Sequence, residues 1–160
     1  MMIVAKHPLA IVSVFLWVGF VCAISFLEAW LKFRAPGITV PLGLGIGRLV
    51  FNALNKIEWV FAVAIIVNLV FEKGFNLSSF SLRESATITS PSAILLFIPV
   101  VLLVLQTFWL LPMLDARAEI LLTGGTPPPS TLHFYYVGME LLKVRCLIAF
   151  GIGLFKKIAL

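Results

Sequence analysis

Five residues that can carry charge or donate hydrogen bonds sit inside long hydrophobic runs: Glu58, Gln106, Glu140, Lys143 and Arg145. An ionisable group at such a place costs several kcal/mol in a bilayer unless it is paired or reaches a wet cavity, so each is a functional candidate by default. Spacing organises them. His133, Tyr136, Glu140 and Lys143 follow steps of three, four and three, which places them on one stripe of a helix. Arg48, Asn52 and Asn55 make a similar stripe, with Glu58 at its margin, and the two stripes are expected to face each other or a shared cavity. Carboxylates beside cations could relay protons, or offer donors and acceptors to a ligand or partner. They could equally fix helix register as structural pairs. The sequence leaves both readings open.

Other chemistry finds little support. His7 and His133 are expected at opposite membrane faces, which argues against a haem held between two histidines. No pair of His or Cys has the spacing of a zinc site, and Cys22 and Cys146 read as packed thiols within apolar runs. The serines between Ser78 and Ser92 have no nearby His to make a hydrolase triad. Gly43, Gly45 and Gly47 lack the Lys and Ser or Thr that complete a phosphate loop. Two glycines four apart, Gly43 and Gly47, instead suit close helix packing.

Composition explains the setting. Of 160 residues 61% are hydrophobic and 12% charged, and the mean hydropathy is +1.12, whereas soluble domains carry about 25% charged residues. An ordinary soluble domain is excluded, and a single integral membrane domain is expected. The net charge of +5 comes from basic residues placed singly or in pairs at the ends of apolar runs. They read as interface anchors rather than a nucleic-acid-binding patch.

Four helices are expected to position the polar residues, near 8–34, 41–72, 92–123 and 130–156. Pro8 to Leu27 carries no charge and is long enough to span. Its layout also resembles a signal peptide with Val21-Cys22-Ala23 as a passable cleavage site, but it is read here as a retained span. The helix continues through Glu28 and Lys32, which can pair four residues apart, to a break at Pro36-Gly37. Pro99 and Pro112 are expected kinks in the third helix, and Ser130 an expected cap for the fourth. Asn76 to Ser92 reads as a water-exposed loop, and Asn76-Leu77-Ser78 matches a glycosylation triplet. An even number of crossings puts both termini on one side, the terminal face.

Measured from that face, a rise of about 1.5 Å per residue puts Lys56, Glu58, Gln106, Glu140, Lys143 and Arg145 roughly 15–25 Å deep. Glu28, Arg48, Asn52, Asn55, Asp115, Arg117 and His133 fall near or beyond the far boundary. Polarity therefore collects toward the far half. The candidate site comprises Glu28, Arg48, Asn52, Asn55, Glu58, Gln106, Arg117, His133, Tyr136, Glu140 and Lys143.

Two resemblances attach to particular residues. Arg48-Leu-Val-Phe-Asn-Ala-Leu-Asn55-Lys-Ile-Glu58 resembles the second-helix motif of the MAPEG family, four-helix membrane proteins, often trimers, many of which use glutathione on lipophilic substrates. That resemblance implies a glutathione site at Arg48, Asn55 and Glu58. Gly47 stands where the family has an acidic residue, and Phe51-Asn52 where it has Arg-Ala. More diffusely, Lys32-Phe33-Arg34-Ala35-Pro36, Thr107 to Pro112 and His133 are similar to small four-helix proteins of the transmembrane protein 205 kind, which implies a fold and little mechanism.

The expectation is an all-α, four-helix transmembrane bundle in an inner or plasma membrane. It acts without a cofactor as a ligand- or partner-binding component and contacts the bilayer, other membrane subunits or a second copy, with no nucleic acid. A small transporter or proton relay is the first alternative, and a glutathione-dependent enzyme the second. The positive-inside rule does not decide orientation, because basic residues are nearly balanced between the faces.

Overall fold

The computed structural model describes residues 2–5, 7–74 and 91–158. The expected loop and glycosylation triplet lie almost wholly outside these residues. Four helical rods follow one another. The first, α1, is Pro8–Arg34; α2 is Val40–Gly74. The third, α3, joins Pro91–Leu105, Gln106–Leu110 and Leu111–Leu122 without interruption, and α4 is Leu132–Gly153. The protein is an all-α four-helix bundle. Its ends meet where the short strands β1, Met2–Ala5, and β2, Phe155–Ile158, pair antiparallel. Both termini therefore lie on one face.

The breaks have local causes. Pro36-Gly37 ends α1, with Gly37 at a φ of 81°, and Gly124 takes a φ of 83° just beyond α3, a conformation glycine adopts without strain. The fourth helix is shorter than the expected 130–156. Three consecutive prolines keep residues 127–129 out of helix, so α4 starts at Leu132, whose N–H donates to Ser130 Oγ at 3.2 Å. At the other end Phe155–Ile158 joins the strand pair instead of continuing the helix.

Two stretches are wound as π-helix, Cys22–Glu28 in α1 and Gln106–Leu110 in α3. The second precedes Pro112, which lacks an N–H to donate and would crowd the carbonyl of Phe108 in a regular helix. Looser winding relieves that conflict, so Pro112 is accommodated by an extra-wide turn.

The helices are arranged as a square. α1 packs on α2 and α4, and α3 packs on α2 and α4, so α1/α3 and α2/α4 are the diagonals. Toward the terminal face the core is apolar, built from Ala10, Val14, Trp17, Val21, Ala62, Ile65, Leu103, Leu147 and Phe150. A second apolar cluster nearer the far face holds Leu110, Leu111 and Tyr136, with Phe51, Leu114, Leu132 and Met139 against it. Between them lies a layer of buried polar side chains.

The outside is as apolar as the inside. Phe108, Phe134, Leu49 and Phe71 are each about two-thirds or more exposed, a distribution that suits lipid rather than water. Cys146 is buried but Cys22 is on this outer surface, so only one of the two thiols is packed. Three rods, Pro8–Arg34, Val40–Phe71 and Ala93–Leu122, are long and apolar enough to cross a membrane. The fourth differs in carrying Glu140, Lys143 and Arg145. The first two of these are fully buried. Labelling in sealed vesicles should find tags on both termini on one side, and a single cysteine replacing Thr126 on the other. Finding Thr126 on the same side as the termini would be incompatible with four crossings.

Candidate functional site

The buried polar layer is built around the Lys143 ammonium. It donates to Glu58 Oε1 at 2.6 Å, to Gln106 Oε1 at 2.5 Å and to Glu140 Oε1 at 3.2 Å, which uses all three of its protons. Gln106 turns its amide N–H to Glu140 Oε1 at 2.9 Å. Trp17 donates its indole N–H to Glu58 Oε1 at 2.7 Å. Each helix contributes: Trp17 from α1, Glu58 from α2, Gln106 from α3, Glu140 and Lys143 from α4. All five are essentially sealed from the outside. One oxygen is left over, since Glu140 Oε2 is buried without a hydrogen-bond partner.

A second group adjoins this layer between α2 and α3. Asn55 and Thr107 exchange hydrogen bonds at 3.0 and 3.2 Å, and Trp59 donates to Thr107 Oγ at 3.0 Å. The single Thr107 hydroxyl proton is within reach of both Asn55 Oδ1 and, at the shorter 2.7 Å, the Leu103 carbonyl. Between the neighbouring helices α1 and α4, the Ser25 and Tyr136 hydroxyls lie 3.5 Å apart.

The third group is open. Arg48 bridges from α2 to Glu119 and, at 3.6 Å, to Asp115 on α3. Asn52 donates to Asp115 Oδ2 at 3.2 Å and to the Arg48 carbonyl. Glu28 pairs with Lys32 at 3.2 Å, the i, i+4 pair expected from sequence. These groups rim a cavity of about 110 Å³ whose wall is mainly Phe33, Phe51, Leu44, Leu111 and Leu114, with Lys32, Arg48, Asp115 and His133 supplying polar atoms. Glycine makes this space: a Cβ on Gly43 would collide with the Phe33 ring, and one on Gly47 with Lys32 Nζ.

The polar residues expected to form one cluster are thus divided. Glu58, Gln106, Glu140 and Lys143 form the sealed layer. Tyr136 is buried against Ser25 and Phe51. Glu28, Arg48, Asn52 and His133 belong to the far end. Arg117 is half-buried with no ion pair among the described residues; two positions on from Asp115, it points away from Arg48. Of the expectation that the two polar stripes face each other or a shared cavity, the direct facing is corrected, while Arg48 and His133, one from each stripe, both line the far-side cavity. α2 and α4 are diagonal, so Arg48, Asn52 and Asn55 turn to their neighbour α3, and only Glu58, at the stripe's margin, reaches across to α4.

Sequence reasoning overlooked Trp17, Lys32, Thr107 and Glu119 as members of these groups. Trp17 left a trace: an indole N–H deep in an apolar run needs an acceptor, and that acceptor had to come from another helix. Glu119 follows Asp115 by four residues, so one face of α3 carries two acids opposite the basic α2 stripe.

Comparison of the chain with protein-family models, curated proteins and solved structures found no match.

The sealed layer makes an asymmetric prediction. Lys143→Met leaves Glu58 and Glu140 buried together without a cation and should cost about 3–5 kcal/mol, in line with breaking other buried pairs. Glu140→Gln keeps an acceptor for Gln106 and Lys143, removes the surplus carboxylate and should cost under about 1 kcal/mol. The paired replacement Glu58→Gln with Lys143→Met should recover most of the single Lys143 loss. Denaturation of the purified variants in detergent measures all three.

Proposed function

We propose that this is a multi-pass membrane protein of an inner or plasma membrane, crossing four times. It acts without a cofactor of its own and binds a small amphipathic molecule in the far-side cavity. The observation that carries this reading is the contrast between the two polar regions. The central layer is sealed and its Lys143, Trp17 and Gln106 donors are taken up by acceptors within it, whereas the far-side groups border a cavity with an apolar wall. Ligand sites combine those two properties, a mainly apolar lining and a few convergent polar groups.

Size and polarity narrow the occupant. An enclosed cavity of about 150 Å³ takes a benzene ring, so about 110 Å³ takes a group of comparable or smaller size. The rest of the ligand extends from the mouth. Lys32, Arg48 and His133 supply donors against the single acceptor group Asp115, which favours a head rich in acceptor oxygens. The aromatic and leucine walls favour an apolar body beside it.

A proton relay through the central layer has one observation in its favour, the unpartnered Glu140 Oε2. The cavity is preferred because the layer has no visible opening to either face. The glutathione alternative would need Arg48, Asn55 and Glu58 on one ligand, and the three occupy separate surroundings, beside Glu119, beside Thr107 and beside Lys143.

The test uses thermal unfolding in detergent with single-chain amphipaths that differ only in head group. Carboxylate or phosphate heads should raise the midpoint by several degrees, and quaternary ammonium heads should not. Gly47→Leu fills the cavity and should abolish the shift. Equal shifts for every head, or a shift that survives Gly47→Leu, would remove the cavity from consideration.

A further inference from the structure

Arg145 is exposed on the outside of α4, and no hydrogen bond or ion pair reaches it among the described residues. By helical rise it stands about 12 Å from Gly153 at the terminal face and about 20 Å from Leu132 at the far end. With α4 crossing the membrane, as proposed above, it meets lipid well inside the hydrocarbon layer. Escape by snorkelling is poorly served. Side chains on a helix lean toward its N-terminus, which for α4 is the far and more distant face.

The surface around Arg145 is shaped for a neighbour. Gly138, seven residues before, and Ala149, four residues after, lie on the same face of α4. Both are exposed, and nothing lies above Gly138. Leu142 and Ile152 flank this line and are also exposed. Small residues at one and two turns from a polar group let another helix backbone approach closely enough to hydrogen-bond it.

The missing element is an anion at the same depth. Among the residues whose side chains are described, another copy of this chain does not supply one: Glu58 and Glu140 are buried, while Glu28, Asp115 and Glu119 lie about 30 Å or more from the terminal face by helical rise. We infer that the Gly138, Arg145 and Ala149 face of α4 is a docking surface for a transmembrane helix of a different protein, one carrying an Asp or Glu at the depth of Arg145. An intramembrane cation paired with an acid on a neighbouring helix satisfies both groups where neither can reach water. This surface is separate from the far-side cavity and does not depend on what that cavity binds.

The experiment reconstitutes the full chain in phosphatidylcholine vesicles with synthetic transmembrane peptides of leucine and alanine. One peptide carries a single Asp a third of the way along, and matched peptides carry Leu or Lys there. Energy transfer between labelled protein and peptide reads association. The Asp peptide should bind about tenfold more tightly than the Leu peptide, the scale of a strong interhelical polar contact, and the Lys peptide no better than Leu. Arg145→Met should erase the preference and Arg145→Lys should retain part of it. Equal binding of all three peptides to the parent protein overturns the proposal without recourse to a variant. So does a preference that persists in Arg145→Met. If the parent instead self-associates through Arg145, or if anionic lipid replaces the peptide at that residue, the occupant is a second copy or a head group and the proposal fails.

Discussion

The contact between Glu58 and Lys143 joins the two helices of a diagonal, and the rest of the interior is arranged around it. Neighbouring helices can meet through small apolar side chains, but diagonal helices need long ones. Lys143 and Glu58 together supply the reach at 2.6 Å. A buried ammonium so placed must use every proton, because an unsatisfied donor in a dry interior costs about 1–3 kcal/mol, and more when charged. Glu58, Gln106 and Glu140 meet that need in three directions. The requirement also sets helix register: sliding α3 by one turn would carry Gln106 about 5.4 Å from the ammonium. Apolar layers on either side tolerate such slips far better, so this layer specifies the vertical alignment of the bundle.

The two π-helical turns flank this layer. In α3 the turn begins at Gln106, and the next residue, Thr107, faces a different partner: Gln106 reaches α4 and Thr107 reaches α2. Successive residues on a helix are about 100° apart, which matches the corner position of α3 between those two neighbours. The wider turn lets both side chains point inward while Pro112 is accommodated a turn later. In α1 the corresponding turn, Cys22–Glu28, contains the buried Ser25 that faces Tyr136. Its sequence has neither Pro nor Gly within it, so its winding follows from no local residue.

How much was legible follows the physics of each feature. Helix number could be read because hydrocarbon demands predominantly apolar runs of about 20 residues and Pro and Gly end them, though the fourth helix proved shorter than expected. The pairing of Glu58 with Lys143 was accessible for the same reason: a carboxylate at that depth needs a donor, and few were in reach. The order of helices around the square was not legible. Apolar stripes on all four rods are continuous, so periodicity assigns no neighbour, and α2 was turned toward α4 when its stripe in fact meets α3. Once Asp115 and Glu119 are seen one turn apart on α3, the preference of Arg48 for that helix has a cause. The cavity was illegible too, since it depends on Gly43 and Gly47 meeting the end of α1 rather than on any motif.

What the polar residues do follows from how much of their bonding capacity is used up. In the central layer the Lys143, Trp17 and Gln106 donors are matched to acceptors and what is left over is carboxylate oxygen, Glu140 Oε2 among it, so a ligand could enter only by breaking bonds already made. At the far end Arg48, Lys32 and His133 border space, and a guest can add bonds without removing any. On the outer face Arg145 has no hydrogen bond or ion pair among the described residues. Desolvation has its largest uncompensated cost there, and a partner that relieves it gains a correspondingly large share of its affinity from one residue. The same chemical group, a cation in an apolar run, thus serves to align helices when it is saturated. It serves to recognise a guest or a neighbouring helix when it is not.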